Sequence, residues 1–197
     1  DCFKDFEAFI YSNNIDVLEN AAIETQKIIN DLEKKFGAWP HDGYLLEVYA
    51  GDSGMEYMGG AVSGIEALKH EIIHNYFGRA VFPADGKSGW IDEAITHWIE
   101  NGYWQSEAPC PSGQALCKPM LGSLDDFNRH TDSRDLHGER FIAYFDYKFK
   151  GQGGMVPFLA HFYKKYKFKP VDNKIFKDEL ESYFNTNLDE FYIQYIY

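Results

Sequence analysis

At 197 residues and 45% apolar content the chain is long enough to bury one substantial core, and nothing in it calls for a second domain. A formal charge of −12 argues against a phosphate-backbone partner; it reads as solubility, with attraction of cationic peptides as the lesser alternative. No apolar run approaches the roughly 18 residues of a membrane span, and Asp1-Cys2-Phe3-Lys4 lacks the basic and apolar regions of a signal peptide. The missing initiator Met suggests a processed protein or an excised domain. Fourteen Tyr and sixteen Phe are expected in the core and in cleft walls, although tyrosine also serves interaction surfaces.

Taken in chain order, Asp16 and Glu19 open a helix that runs to Phe36, with Ile23, Ile28, Ile29 and Leu32 among its apolar positions and Gly37 ending it. Tyr44 to Ala50 reads as a strand, and residues 51–60 as a glycine-rich edge segment. Ser63 and Glu66 form a capping box that starts a helix over Gly64 to Phe77, and Gly78 is placed as its left-handed C-terminal cap. Ile65, Leu68, Ile72, Ile73 and Tyr76 recur near helical period, so this helix is expected to be buried. A turn-rich connection over residues 81–89 leads to a second helix from Gly89 or Trp90 to about Asn101. Residues 105–137 are rich in Pro, Gly, Ser and Asp and are expected to be a long irregular loop that shapes a site, with disorder as the competing explanation. Three or four helices fill the remainder. The expected organisation is a single domain over 1–197: about 1–104 with the sheet and the first helices, the loop, then a helical part from 138 to 197.

The chemistry is concentrated in His70-Glu71-Ile72-Ile73-His74. Residues four apart lie one above the other on a helix, so His70 and His74 can point both rings at one Zn²⁺ while Glu71 faces the ligand space. Catalytic zinc takes three protein ligands and keeps one position for water. Glu93, after eighteen intervening residues, supplies the third. The alternative is a histidine pair on a partly polar helix surface, but burying such a pair is costly unless a metal or hydrogen bonds satisfy it.

His70 to Gly78, followed by Trp90-Ile91-Asp92-Glu93-Ala94, resembles the gluzincin aminopeptidases of the aminopeptidase N family, whose pattern is H-E-x-x-H-x-W-F-G and then W-x-N-E-G. Tyr76 replaces the usual Trp, Asp92 the Asn and Ala94 the Gly; none of these is a metal ligand. Phe36-Gly37-Ala38-Trp39-Pro40 resembles the family's F-G-x-Y-P, and Ser53-Gly54-Met55-Glu56-Tyr57 its G-x-M-E-N loop, with Ser53 and Tyr57 as departures. Residues 176–197 resemble the closing helices. The resemblance covers roughly residues 16–197. It implies an α+β fold like the thermolysin catalytic domain, a small β-sheet followed by a mostly helical C-terminal part. It also implies one zinc ion, and a substrate α-amino group held by Glu56 with the backbone of Gly54 and Met55 pairing to the peptide. Full family members carry a β-rich domain before this unit and a helical one after it, for which the chain has no room.

The expected activity is zinc-dependent hydrolysis of peptide bonds in peptide or protein substrates, most simply aminopeptidase release of N-terminal residues, with Glu71 activating the water. A zinc endopeptidase with an open cleft and a non-catalytic zinc-containing peptide-binding module are the alternatives. The family's oxyanion-binding tyrosine is missing here. Alignment back from the closing helices puts His137 in its place, with Tyr144 and Tyr147 as fallbacks and a surface loop histidine as the equal alternative for His137. His97, one turn beyond Glu93, and Asp92 are candidates for supporting the ligands. Cys110 and Cys117 bracket a Pro/Gly/Ser loop; a disulfide there would point to a secreted or cell-envelope protein, two free thiols would not. Cys2 is left over.

Overall fold

The computed structural model describes residues 7–109 and 132–197, with side chains from 138 onward in the second segment. Cys2, Cys110 and Cys117, and most of the expected loop, lie outside the described residues. Strand β1 (Glu7–Tyr11) leads into helix α1 (Ile15–Phe36), which returns the chain to β2 (Gly43–Tyr49), parallel to β1. Such a crossover is what a parallel pair requires. Then β3 (Gly54–Tyr57) and β4 (Gly60–Gly64) form a hairpin, and β4 adds parallel to β2, giving the order β1-β2-β4-β3. The expected edge segment is therefore a true edge strand, β3.

The N-cap of α1 is Asn14, whose side chain accepts from the N–H of Asp16 and Val17, rather than the capping box expected at Asp16 and Glu19. Its buried stripe is Ala21, Thr25, Ile29, Leu32 and Phe36, at the three- and four-residue steps of one helix face. Ile23 lies off that face and is exposed. Gly37 ends the helix at φ +109, in the region that favours glycine. Along β2, Tyr44, Leu46 and Val48 point to the core while Leu45 and Glu47 point out, the period of two expected of a half-buried strand.

The helix of the H-E-x-x-H segment, α2 (Leu68–His74), is much shorter than the expected 64–77. Ser63 does not cap it. It is buried in β4, its hydroxyl donates to the Gly64 carbonyl, and the Glu66 N–H donates to the Gly51 carbonyl instead. Gly78 is not in the left-handed region either; a Cβ there would lie 2.6 Å from Asp92 Oδ1, so its role is to leave room for that carboxylate. Leu68, Ile72, Ile73 and Tyr76 are buried as expected.

The expected connection after α2 contains a short strand, β5 (Val81–Pro83), followed by α3 (Gly89–Glu100), within a residue of its expected ends. Helix α4 (Asp132–Lys148) packs on α3 and begins six residues before the helical part expected from 138. Then come α5 (Met155–Tyr166), β6 (Lys169–Val171), α6 (Asn173–Phe184) and α7 (Asp189–Tyr195). Strand β6 pairs in parallel with β5, tying the chain leaving α2 to the C-terminal helices. The Trp90 indole donates to Asn173 Oδ1 at 2.6 Å and the Trp98 indole to the Trp104 carbonyl at 2.8 Å, fixing both ends of α3. Among the described residues no helix is long and apolar enough to cross a membrane.

Candidate metal centre

Helices α2 and α3 pack against each other and bring His70, His74 and Glu93 together. The two Nε2 atoms are 2.9 Å apart, and Glu93 Oε2 stands 3.5 Å from one and 3.6 Å from the other. These three atoms lie on a circle of about 1.9 Å radius, a spacing that suits the roughly 2.0–2.1 Å at which such donors would hold zinc. Two imidazoles and one carboxylate are also a donor set that zinc prefers, and three ligands leave one position for water. His97 offers a competing set with His70 and Glu93. Its Nε2 is 3.9 Å from Glu93 Oε2 and its Nδ1 turns towards Glu100 at 3.5 Å, whereas His74 is aimed into the cluster. The set with His74 is the tighter one.

What aims the rings is a second layer of carboxylates. Asp92 Oδ1 lies 2.6 Å from His74 Nδ1, with Thr96 Oγ1 3.3 Å from the same nitrogen. Glu100 Oε2 lies 3.0 Å from His70 Nδ1. An ionised carboxylate only accepts, so each Nδ1 donates a proton to it, and Nε2 is the atom on which a metal would replace the ring's second proton. Burial alone would push the His70 ring down, but Glu100 and Glu93 together hold it up at about 10. Burial opposes protonation of His74 as well, and Asp92, then Glu93, outweigh it at about 9. Conversely, burial resists charge on Glu100, yet His70 and His97 bring it down to about 2. A cation bound at the three atoms competes with protons for the rings.

Glu71 points from α2 towards the same space. Burial, opposed by His74 and His70 and aided by Glu56 and Glu93, pushes its carboxyl up to about 7. Its Oε2 is buried and has no hydrogen-bond partner among the described residues. A buried acceptor of this kind calls for a donor such as water. Strand β3 passes directly over it: a Cβ on Gly54 would lie 2.5 Å from Glu71 Oε1. The hairpin is held there by Asn75, fully buried, whose Oδ1 accepts from Gly59 N at 3.0 Å and whose Nδ2 donates to the Glu71 carbonyl at 3.1 Å. Met55 is exposed on β3, and Glu56 is half-buried. A carboxylate oxygen of Glu56 lies within 4.8 Å of a ring nitrogen of His74 and a carboxylate oxygen of Asp92, and Arg79 Nη2 donates to Glu56 Oε1.

The remaining expected residues are placed less directly. His137 falls in α4, not in a loop; its side chain lies outside the described residues. Its neighbour Gly138 packs against Ala94, next to Glu93 in sequence, where a Cβ would come within 2.7 Å of the Ala94 Cβ. Tyr147 donates to Glu107 at 3.3 Å, and Tyr144 stacks on Phe191. Sequence reasoning did not single out Glu100, Asn75 or Arg79. Glu100 was findable, since it lies seven residues beyond Glu93 on one face of α3.

Comparison of the sequence with protein-family models finds no match, and none is found among curated proteins. Solved structures do match. A mutant of an M1 zinc metallopeptidase from Deinococcus radiodurans, bound to a Tyr-Ser-Ala substrate, is similar at TM-score 0.63 and 19% identity, over 83% of this chain and 41% of that one. Native leukotriene A4 hydrolase from Saccharomyces cerevisiae is similar at TM-score 0.68 and 17% identity, over 90% of this chain and 35% of that one. The chain shares its fold with the M1 zinc metallopeptidases. It is a mixed α/β fold, a small sheet with a mostly helical remainder, and it spans 41% and 35% of those two proteins' length.

Proposed function

We propose that the chain is a zinc-dependent peptide hydrolase in which His70, His74 and Glu93 hold one Zn²⁺. The observation that carries this reading is the convergence of their three donor atoms within 2.9–3.6 Å. When bound, zinc lowers the pKa of a coordinated water towards ~7 and polarises a carbonyl. Glu71, beside the ligands, accepts the proton of the attacking water and delivers it to the leaving amine. Its unpartnered Oε2 supports that role. The free edge of β3 pairs with an extended substrate through Gly54 and Met55, as edge strands do. His137 is the proposed oxyanion donor, supported by the packing of Gly138 on the ligand helix.

Loss of metal is the direct test. Purified protein is expected to hold one zinc per chain by elemental analysis, to lose peptide hydrolysis on chelation and to regain it with equimolar zinc. Hydrolysis that survives complete zinc removal would defeat the reading.

Gly54→Ala probes the placement of Glu71. The colliding atoms, Oε1, Cδ and Cγ, all belong to the Glu71 side chain and none to backbone, so that side chain must shift and its carboxyl with it. A displacement near 1 Å can cost about a hundredfold, so hydrolysis is expected to drop by about that much with zinc content unchanged, measured as kcat beside metal analysis.

Aminopeptidase action is the mode that the position of Glu56 in β3 supports, by analogy with the G-x-M-E-N loop. The Arg79 guanidinium on that carboxylate favours the second reading, cleavage that needs no free amino terminus.

A further inference from the structure

Arg79 is held by the metal helix itself. Its backbone N–H donates to the His74 carbonyl at 2.8 Å, at the turn just past α2. From there its guanidinium reaches across to β3 and donates to Glu56 Oε1. The pair is sheltered, with side-chain exposures of 27% and 14%, and Arg79 Nε is buried with no acceptor among the described residues. The same Glu56 carboxylate lies within 4.8 Å of His74 and Asp92, against the cluster proposed to hold zinc.

We propose that Arg79 is a specificity-determining residue: by occupying the Glu56 carboxylate it denies that group to a substrate α-ammonium, and the cleft takes internal or N-blocked peptide segments. This deepens the zinc-peptidase reading and rests on it. A substrate amine gains from a carboxylate only through a charge-assisted hydrogen bond in a partly dry site. Here such a bond already exists, made by a tethered group whose effective concentration no free peptide matches. An ammonium that displaced it would leave a half-buried cation without its partner and would sit beside a like charge. An acylated amino end, or a chain continuing on that side, brings no second positive charge and meets neither penalty.

The test uses the whole zinc-loaded chain carrying Glu71→Gln, so that binding is read without turnover. The dissociation constants of Ala-Phe-Ala-Ala amide and of its N-acetylated form are measured by calorimetry. With Arg79 in place the acetylated peptide is expected to bind at least as tightly. Arg79→Met keeps the aliphatic stem and removes the charge; it is expected to shift the ratio about tenfold or more towards the free amine. Arg79→Gln, which keeps a donor for Glu56, is expected to shift it in the same direction should the Met variant fold poorly. A strut that merely holds β3 would change both constants together and leave the ratio alone, which overturns the proposal. So does a tenfold preference for the free amine with Arg79 present, or binding of neither peptide. Turnover of both peptides by the chain with native Glu71 is measured separately; hydrolysis of neither defeats the hydrolase reading, while the affinity ratio still judges Arg79.

Discussion

Zinc-loaded Glu71→Gln is expected to retain one metal ion per chain and to lose peptide hydrolysis by about a thousandfold, within the range for removal of a general base. The substitution preserves shape. Glutamine fits beneath Gly54 as glutamate does, and neither carboxyl oxygen is one of the three clustered donor atoms. What it removes is proton acceptance at a position where Oε2 has no partner among the described residues. Parallel measurement of kcat and metal content separates the outcomes. Equal turnover by both proteins would remove Glu71 from the chemistry. Turnover by neither, with zinc bound, would favour the non-catalytic peptide-binding module. Loss of zinc from the variant would mean that Glu71 helps to hold the ion.

Asp92→Ala is expected to weaken zinc binding by about 10–100-fold, the usual cost of removing a carboxylate behind a ligand histidine. The His74 ring is buried and its Nδ1 meets Asp92 at 2.6 Å, so truncation leaves the ring's orientation to the longer 3.3 Å contact with Thr96. Asp92→Asn keeps an acceptor of the same size in the space beside Gly78 and is expected to cost far less. Glu100→Gln, which keeps an acceptor at the 3.0 Å contact to His70, is likewise expected to cost far less than Asp92→Ala. Competition with a chelator of known affinity measures all three. If the alanine variant held zinc as tightly as the native chain, Asp92 would not be what orients His74.

The order of these effects follows what local sequence can encode. The four-residue step from His70 to His74 places two rings on one side of any helix, however short, because the helical repeat alone determines it. The same logic makes α1 legible to its end at Gly37 and α3 legible within a residue at each end. Local signals fail where a distant partner competes for the same backbone. Ser63 and Glu66 spell a capping box, but the pairing of β4 with β2 and β3 claims residues 60–64 first, and α2 is cut back to Leu68. The short strands β5 and β6 exist only through each other.

The site divides in the same way. Spacing and residue type alone nominate His70, Glu71, His74 and Glu93, since chemistry and helical period coincide there. Only the folded chain decides what surrounds them: Glu100 behind His70 across 30 residues, Asp92 behind His74 across 18, and Arg79 on Glu56 across 23. Those contacts join separate elements, and an ion pair or a sheet ladder has no trace in local periodicity because it forms only when the chain closes on itself. Residue spacing thus nominated a candidate metal grip; tertiary packing decided which carboxylates stand behind its rings and that Arg79 meets Glu56.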